Sequence, residues 1–284
     1  MFNLINYIIA GGFLAFLAIE ALAPARRFPN VRFWKIRGVI SAVFYIAIAS
    51  YAPFLWASWL TGPLLFDSTG LYFAMQCILG FAAMQFVAYW WHRAMHGSDI
   101  LWRIFHQMHH SVERMDGWGA LYHSPLDVIG FAFAGSFALT MIVGISPEAA
   151  AVIAVFGMFA VYFTHCNIRT PRWIGWLMQR PEGHGRHHER GRHANNYAEL
   201  VIWDRFFGTY ENPKEWNGEA GFYDGASLRI WDMLTFRDVS RPSEADAAEP
   251  KLSRGAIVPG AFVGLICAGA AGLFTLGTVA VVAV

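Results

Sequence analysis

The feature that most limits how this chain can fold is a series of long apolar runs. Residues 3–22 are apolar over about the ~20 positions a helix needs to cross a bilayer. Residues 39–60 form a second run, which Pro53 and Pro63 are placed to kink or stop. Residues 71–91 make a third. Residues 127–145 and 149–163 read as two arms of a hairpin about Ser146-Pro147, and residues 256–282 as a last span. The second hairpin arm is short, so a re-entrant hairpin stands beside two full crossings as an expectation. Composition agrees: 56% of the residues are hydrophobic and 14% charged, with mean hydropathy +0.38, against roughly 45–50% and about 25% in soluble domains. The expected fold is therefore an all-α integral membrane protein with about 4–6 transmembrane helices and a cytoplasmic, histidine-rich helical cap.

Three parts are expected: N-terminal transmembrane helices over 1–70, a histidine-bearing membrane domain with its cap over 71–240, and a linker with a C-terminal transmembrane helix over 241–284. No Lys or Arg precedes the first run and no A-x-A site follows it, so it reads as a retained anchor rather than a signal peptide. Residues 165–254 are polar and rich in Arg, Gly and Trp. Within them, 227–239 carries an apolar stripe at Leu228, Trp231 and Leu234 that suits a packed or interfacial helix, and 240–249 reads as a linker.

Charge sets the sidedness. With six spans, segments 25–38, 92–125 and 166–254 share one side and hold five, three and thirteen Lys/Arg, which is all 21 in the chain. By the positive-inside rule that side is cytoplasmic. A net charge of +1 gives no reason to expect a nucleic-acid partner. Cys77, Cys166 and Cys267 are isolated, with no CxxC, so any metal here is held by nitrogen and oxygen.

All eleven histidines lie on, or at the membrane boundary of, that basic side, and ten fall in patterns. His92 and His96 are spaced i, i+4. His106, His109 and His110 form an HxxHH, and His184, His187 and His188 repeat it. Such spacings place imidazoles on one helix face, and neutral imidazole suits iron, copper and zinc. His123 and His165 flank the hairpin. Ten candidate ligands exceed one mononuclear site, since a zinc needs about four, and they fit two metal ions. His193 reads as a surface or hydrogen-bonding residue. Asp116, Asp127, Glu182 and Glu189 lie close enough in sequence to orient imidazoles.

The ordered elements HRAMH, HQMHH, YHSPLD, THCNIR, HGRHH and NNYAELVIWDRFFGTY resemble the fatty acid hydroxylase/sterol desaturase superfamily of membrane-bound histidine-box oxygenases, over roughly residues 89–212. The resemblance implies a non-heme centre of two iron ions, held by His92, His96, His106, His109, His110, His123, His165, His184, His187 and His188. It implies use of O2 and two electrons to hydroxylate or desaturate a lipid C–H bond: a fatty acyl, sterol-like or polar membrane lipid. Asn196, Tyr197, Trp203 and Asp204 match its closing signature and would buttress the site. The chain departs from it in reading NNYAE where the family usually shows NYG.

No heme or flavin motif is visible, so electrons are expected from a separate carrier, cytochrome b5-like or ferredoxin-type, at the basic side of an inner membrane if the source is bacterial. Phe105, Trp118, Trp173 and Trp176 could line a lipid cavity, with an interfacial anchoring role the stronger expectation. A zinc-bearing membrane hydrolase would use the same nitrogens, and Irving–Williams affinity even favours zinc as a substitute. A metal transporter would place ionisable ligands within its spans; the second and last spans contain none.

Overall fold

The computed structural model describes residues 2–242, with side chains from Gly11 onward. The span expected over 256–282 and most of the 240–249 linker lie outside the described residues. Within them the regular elements are all helices, with isolated β-bridges that include Met178 to Leu200 and Glu189 to Ala220. Four helical stretches are long and apolar enough to cross a membrane: residues Trp34–Leu55, Phe73–Gly97, Pro125–Ile142 and Pro147–His165. Outward-facing Ile40, Phe44, Ile78, Val152 and Phe156 are exposed, as expected of surfaces covered by lipid rather than water.

Local chemistry sets the helix ends. Helix α1 covers Phe2–Leu22 and α2 covers Trp34–Tyr51, where Pro53 converts the chain to a 3-10 turn, Ala52–Leu55. Helix α2 starts five residues before the apolar run, because Arg37 finds partners: its guanidinium donates to the Tyr122 hydroxyl (2.6 Å) and to Ser227. Helix α3, Phe73–Gly97, has 25 residues, so at 1.5 Å per residue it is about 37 Å long, beyond the ~30 Å hydrocarbon thickness. It therefore carries His92 and His96 past the apolar run in one rigid rod. The short helices α4 (Asp99–Leu101) and α5 (Gln107–His110) are joined by a π-turn, Trp102–His106.

A Ser-Pro pair starts both hairpin arms. Ser124 Oγ accepts from Asp127 N to begin α6 (Pro125–Ser136), and Ser146 Oγ accepts from Ala149 N to begin α7 (Pro147–His165). Proline at the first helical position needs no N–H partner, and the serine caps the next orphan donors. A π-segment, Phe137–Ile142, extends α6, so both arms reach spanning length, at 18 and 19 residues.

Helix α3 packs between α6 and α7, with α2 against α6 and α1 against α7. Phe13 of α1 meets Tyr162 of α7 edge-on, centroids 4.7 Å apart. The polar cap folds beneath around α5: Phe28, Trp34, Met108, Trp216 and Phe222 form one buried cluster. Short helices α8 (Pro181–His187), α9 (Ile202–Phe206) and α10 (Ile230–Leu234) complete it. The helix expected over 227–239 shortens to α10, whose buried residue is Met233, while Trp231 faces out. Neighbouring Ser227 and Val239 are held by Glu113 and Gln107, and these local bonds override the apolar stripe. Segments 56–72 and 143–146, at the opposite ends of these helices, contain no Lys or Arg.

Candidate metal centre

The histidines separate into two adjoining groups. One ring nitrogen each from His92, His96, His106, His110 and His187 lies within 4.8 Å of the others, and the same holds for His109, His165, His184 and His188. Helix periodicity explains the partition. Every i, i+4 pair shares a group: His92/His96, His106/His110 and His184/His188. Every i+3 histidine crosses to the other group, because adjacent helical residues point about 100° apart. Each HH doublet thus serves both groups, and His110 and His188 stack at the seam with centroids 4.0 Å apart. The π-turn ends at His106, a helix irregularity of the kind that collects at functional sites.

Hydrogen bonds at the outer nitrogens determine what the inner nitrogens are. Nδ1 of His92 donates to the Tyr197 carbonyl (2.7 Å), that of His187 to the Asn195 carbonyl (2.6 Å), and that of His106 to Asp127 Oδ2 (3.0 Å). A neutral imidazole has one proton, so each Nε2 is a bare lone pair. Yet His106 Nε2 lies 2.9 Å from His92 Nε2, and His187 Nε2 lies 3.1 Å from both His92 Nε2 and His110 Nε2. The contacts of His92 with His106 and with His187 have no proton to share, and converging lone pairs at this range are repulsive without a cation between them. In the second group, the Nδ1 of His165 donates to the Val161 carbonyl (2.7 Å) and its Nε2 faces those of His109 (3.1 Å) and His184 (3.0 Å). Both nitrogens of His188 are buried without a hydrogen-bond partner. The donor set therefore fits metal ions, one per group. Burial, with neighbouring imidazoles adding to it, holds His109, His110, His184 and His188 well below the usual histidine range, and His187 likewise; that keeps them neutral as ligands must be.

His123 sits beside these groups rather than inside either. It stacks on His109 (4.0 Å) and donates from Nδ1 to Asp127 Oδ2 (2.7 Å), with Nε2 buried and unpartnered. Of the four acidic residues suggested by proximity in sequence, Asp127 alone holds histidines. Asp116 binds the Trp34 indole and Arg114; Glu182 binds Thr170; Glu189 binds Arg186 and Trp216. His193 is a hydrogen-bonding residue, one of the two roles expected of it, but sequence reasoning missed its partner. Its Nδ1 lies 3.0 Å from His110 Nδ1 and accepts from it when His110 turns its lone pair inward. The residue is poised with φ +44° in the loop after the second HxxHH, and nothing in its own spacing signals the contact.

The closing NNYAEL…WD…FGTY stretch forms the frame. Asp204 takes the amides of Tyr197 (2.8 Å) and Ala198 (2.9 Å) and the Thr209 hydroxyl (2.7 Å), so the Tyr197 carbonyl is aimed at His92. Burial outweighs these bonds and raises the Asp204 carboxyl to about 6. Asn196 Nδ2 donates to the Gly183 and Glu211 carbonyls, tying the loop to α8, and the Trp203 indole donates to Ala82 of α3.

Above the histidines a cavity of about 290 Å³ runs among α2, α3, α6 and α7. His92, His106, His109, His123, His165 and His184 line one end, and Leu139, Thr140 and Ala150 the other. Its wall on α6 runs from Val128 to Thr140, about 18 Å of helical rise. Phe105, Trp118, Trp173 and Trp176 are absent from its lining; Trp173 and Trp176 are exposed, and Arg205 stacks on Trp176 at 4.4 Å.

Residues 77–209 match the fatty acid hydroxylase family. The chain is 33% identical to the alkylglycerol monooxygenase of Xenopus tropicalis over 66% of its own length and 39% of that protein. It is 33% identical to an ornithine lipid hydroxylase of Rhizobium tropici over 49% and 43% of the two chains. Against a sphingolipid C4-hydroxylase of Schizosaccharomyces pombe it is 25% identical over 50% of each. The chain thus spans half or less of the length of these relatives. No solved structure matches.

Proposed function

Because this chain belongs to the fatty acid hydroxylase superfamily, we propose that it is a membrane-bound oxygenase that hydroxylates an alkyl chain of a polar lipid at a centre of two iron ions. The observation that carries the reading is the pair of histidine groups, each with converging ring nitrogens, at the head of an apolar cavity. The named relatives act on alkylglycerols, ornithine lipids and sphingolipids, which supports a polar lipid as the substrate class. Overall, R–H + O2 + 2 e⁻ + 2 H⁺ yields R–OH + H2O.

His92, His96, His106, His110 and His187 would hold one ion and His109, His165, His184 and His188 the other, with His123 presenting Nε2 between Asp127 and the cavity. The bound ions supply activation of O2 for attack on an unactivated C–H bond. The residues of the chain do the remainder. Asp127, the Tyr197, Asn195 and Val161 carbonyls and His193 fix imidazole orientation and tautomer. Ala132, Gly135, Ala154 and Gly157 leave room for an extended chain beside the histidines, and the apolar wall excludes water.

The Lys/Arg asymmetry supports a centre on the cytoplasmic face, where a separate carrier would deliver electrons. Protein purified anaerobically should hold about two irons per chain, consume O2 on reduction and add one oxygen to a membrane lipid; zinc alone with no O2 uptake would refute the proposal. His109→Ala and His188→Ala should each abolish turnover while the fold persists.

A further inference from the structure

The lining of the cavity contains one acidic side chain, Glu199. It lies where the chain reads NNYAE against the family's usual NYG. Its position is fixed: Gln85 Oε1 accepts both the Glu199 amide (2.9 Å) and the Leu200 amide (3.2 Å), which leaves the Gln85 amide nitrogen for the Glu199 carboxyl. Gln85 is seven residues before His92 on α3, about 10 Å along the helix, so Glu199 stands partway down the cavity. Among the described residues no Lys or Arg forms an ion pair with it. A carboxyl facing an apolar cavity costs stability unless something donates to it. Gln85 and the residue's own amide supply donors to a group able to accept several, and burial pushes the carboxyl up. A bare hydrocarbon tail leaves that capacity unmet.

We propose that Glu199 is a specificity-determining residue that accepts a hydrogen bond from a hydroxyl or ammonium group on the substrate chain, so that the lipid admitted carries a donor inside the cavity. This rests on the reading of the cavity as the lipid site of an oxygenase. A neutral or ionised carboxyl accepts from a hydroxyl; an ammonium is favoured only by the ionised form.

The wall length from Val128 to Thr140 matches an extended chain of roughly fourteen carbons, which selects the probes. Equilibrium binding of tetradecan-7-ol, tetradecan-7-amine and 7-methoxytetradecane, which carry the polar group partway along the chain, is measured on full-length protein in nanodiscs, corrected for partition into empty discs. Oxygen incorporation is measured in parallel. Wild type should bind the alcohol and the amine about tenfold more tightly than the ether. Glu199→Ala should bind all three as wild type binds the ether, with metal content unchanged. Glu199→Gln should keep the preference for the alcohol and lose that for the amine. Equal affinities in wild type, a preference that survives Glu199→Ala, or equal weakening of all three probes by Glu199→Ala would overturn the proposal. Donor-dependent binding lost in Glu199→Ala, with no oxygen incorporated by wild type, would refute the oxygenase reading and leave the assignment of Glu199 standing.

Discussion

Asp127→Asn tests whether the histidines are held as ligands. Asp127 is wholly buried at the start of α6, and its Oδ2 accepts from Nδ1 of both His106 (3.0 Å) and His123 (2.7 Å). Asparagine preserves size but removes the charge and offers one acceptor where its NH2 group now opposes an imidazole N–H. Each charge-assisted bond contributes about 1.5–3 kcal/mol, and part of that is lost as anchoring of His106. Loss of such outer partners typically weakens metal binding about 10–100-fold, equivalent to about 1.4–2.8 kcal/mol. The assay is metal per chain against a graded chelator. Wild type should release its two ions at similar chelator strength, whereas Asp127→Asn should give up the ion of the His92 group one to two decades earlier. Asp116→Asn is the control, since this equally buried carboxylate binds Trp34 and Arg114 and no histidine. Identical chelator midpoints in Asp127→Asn and wild type, or an equal loss in Asp116→Asn, would show that Asp127 does not act through His106.

His188→Ala should halve the metal content by emptying the group of His109, His165 and His184, whereas His193→Ala, which removes only the acceptor for His110, should keep both ions and weaken one by up to about tenfold; metal analysis of the two variants side by side checks this. For the metal-free protein, burial depresses the pKa of His109, His110, His184, His187 and His188 in the fold. The unfolded chain therefore takes up protons that the folded chain refuses, so stability is highest above the unfolded value of about 6.5 and is lost as pH falls below it. The Tm measured in detergent should drop between pH 7 and pH 5, and a flat profile would contradict neutral buried imidazoles. Gly185→Ala should destabilise by about 1–3 kcal/mol, because the new Cβ would clash with ring atoms of buried Trp216; a thermal melt within error of wild type would refute that packing.

Much of the site was legible because its residues are arranged by helix period. The spacings in 92–110 and 184–188 announce shared faces, and the frame residues Asn196, Tyr197, Trp203 and Asp204 sit in one recognisable stretch. Both HxxHH elements proved subtler than a single face, since the i+3 member of each serves the neighbouring group. Asp127, His123 and His193 show the limit. Asp127 and His193 meet rings 21 and 83 residues away and His123 stacks on His109, and Asp116 would have looked equally suitable by sequence position. The stripe at Leu228, Trp231 and Leu234 misled for a related reason: hydrogen bonds from the Ser227 and Val239 amides to Glu113 and Gln107 dictate the backbone there, and periodicity does not report them.

By itself, then, the sequence determines that this protein is a bundle of apolar helices with its basic residues and histidines gathered at one end. Hydrophobic length, charge and the 3.6-residue period are local properties of the chain, and they act before any tertiary contact exists. Only the tertiary structure decides that nine imidazoles divide into groups of five and four, which carboxylate orients them, and that a cavity with Glu199 in its wall lies above them. Those outcomes depend on distances of about 3 Å between residues far apart in sequence, which are set when α3, α5, α7 and α8 pack together.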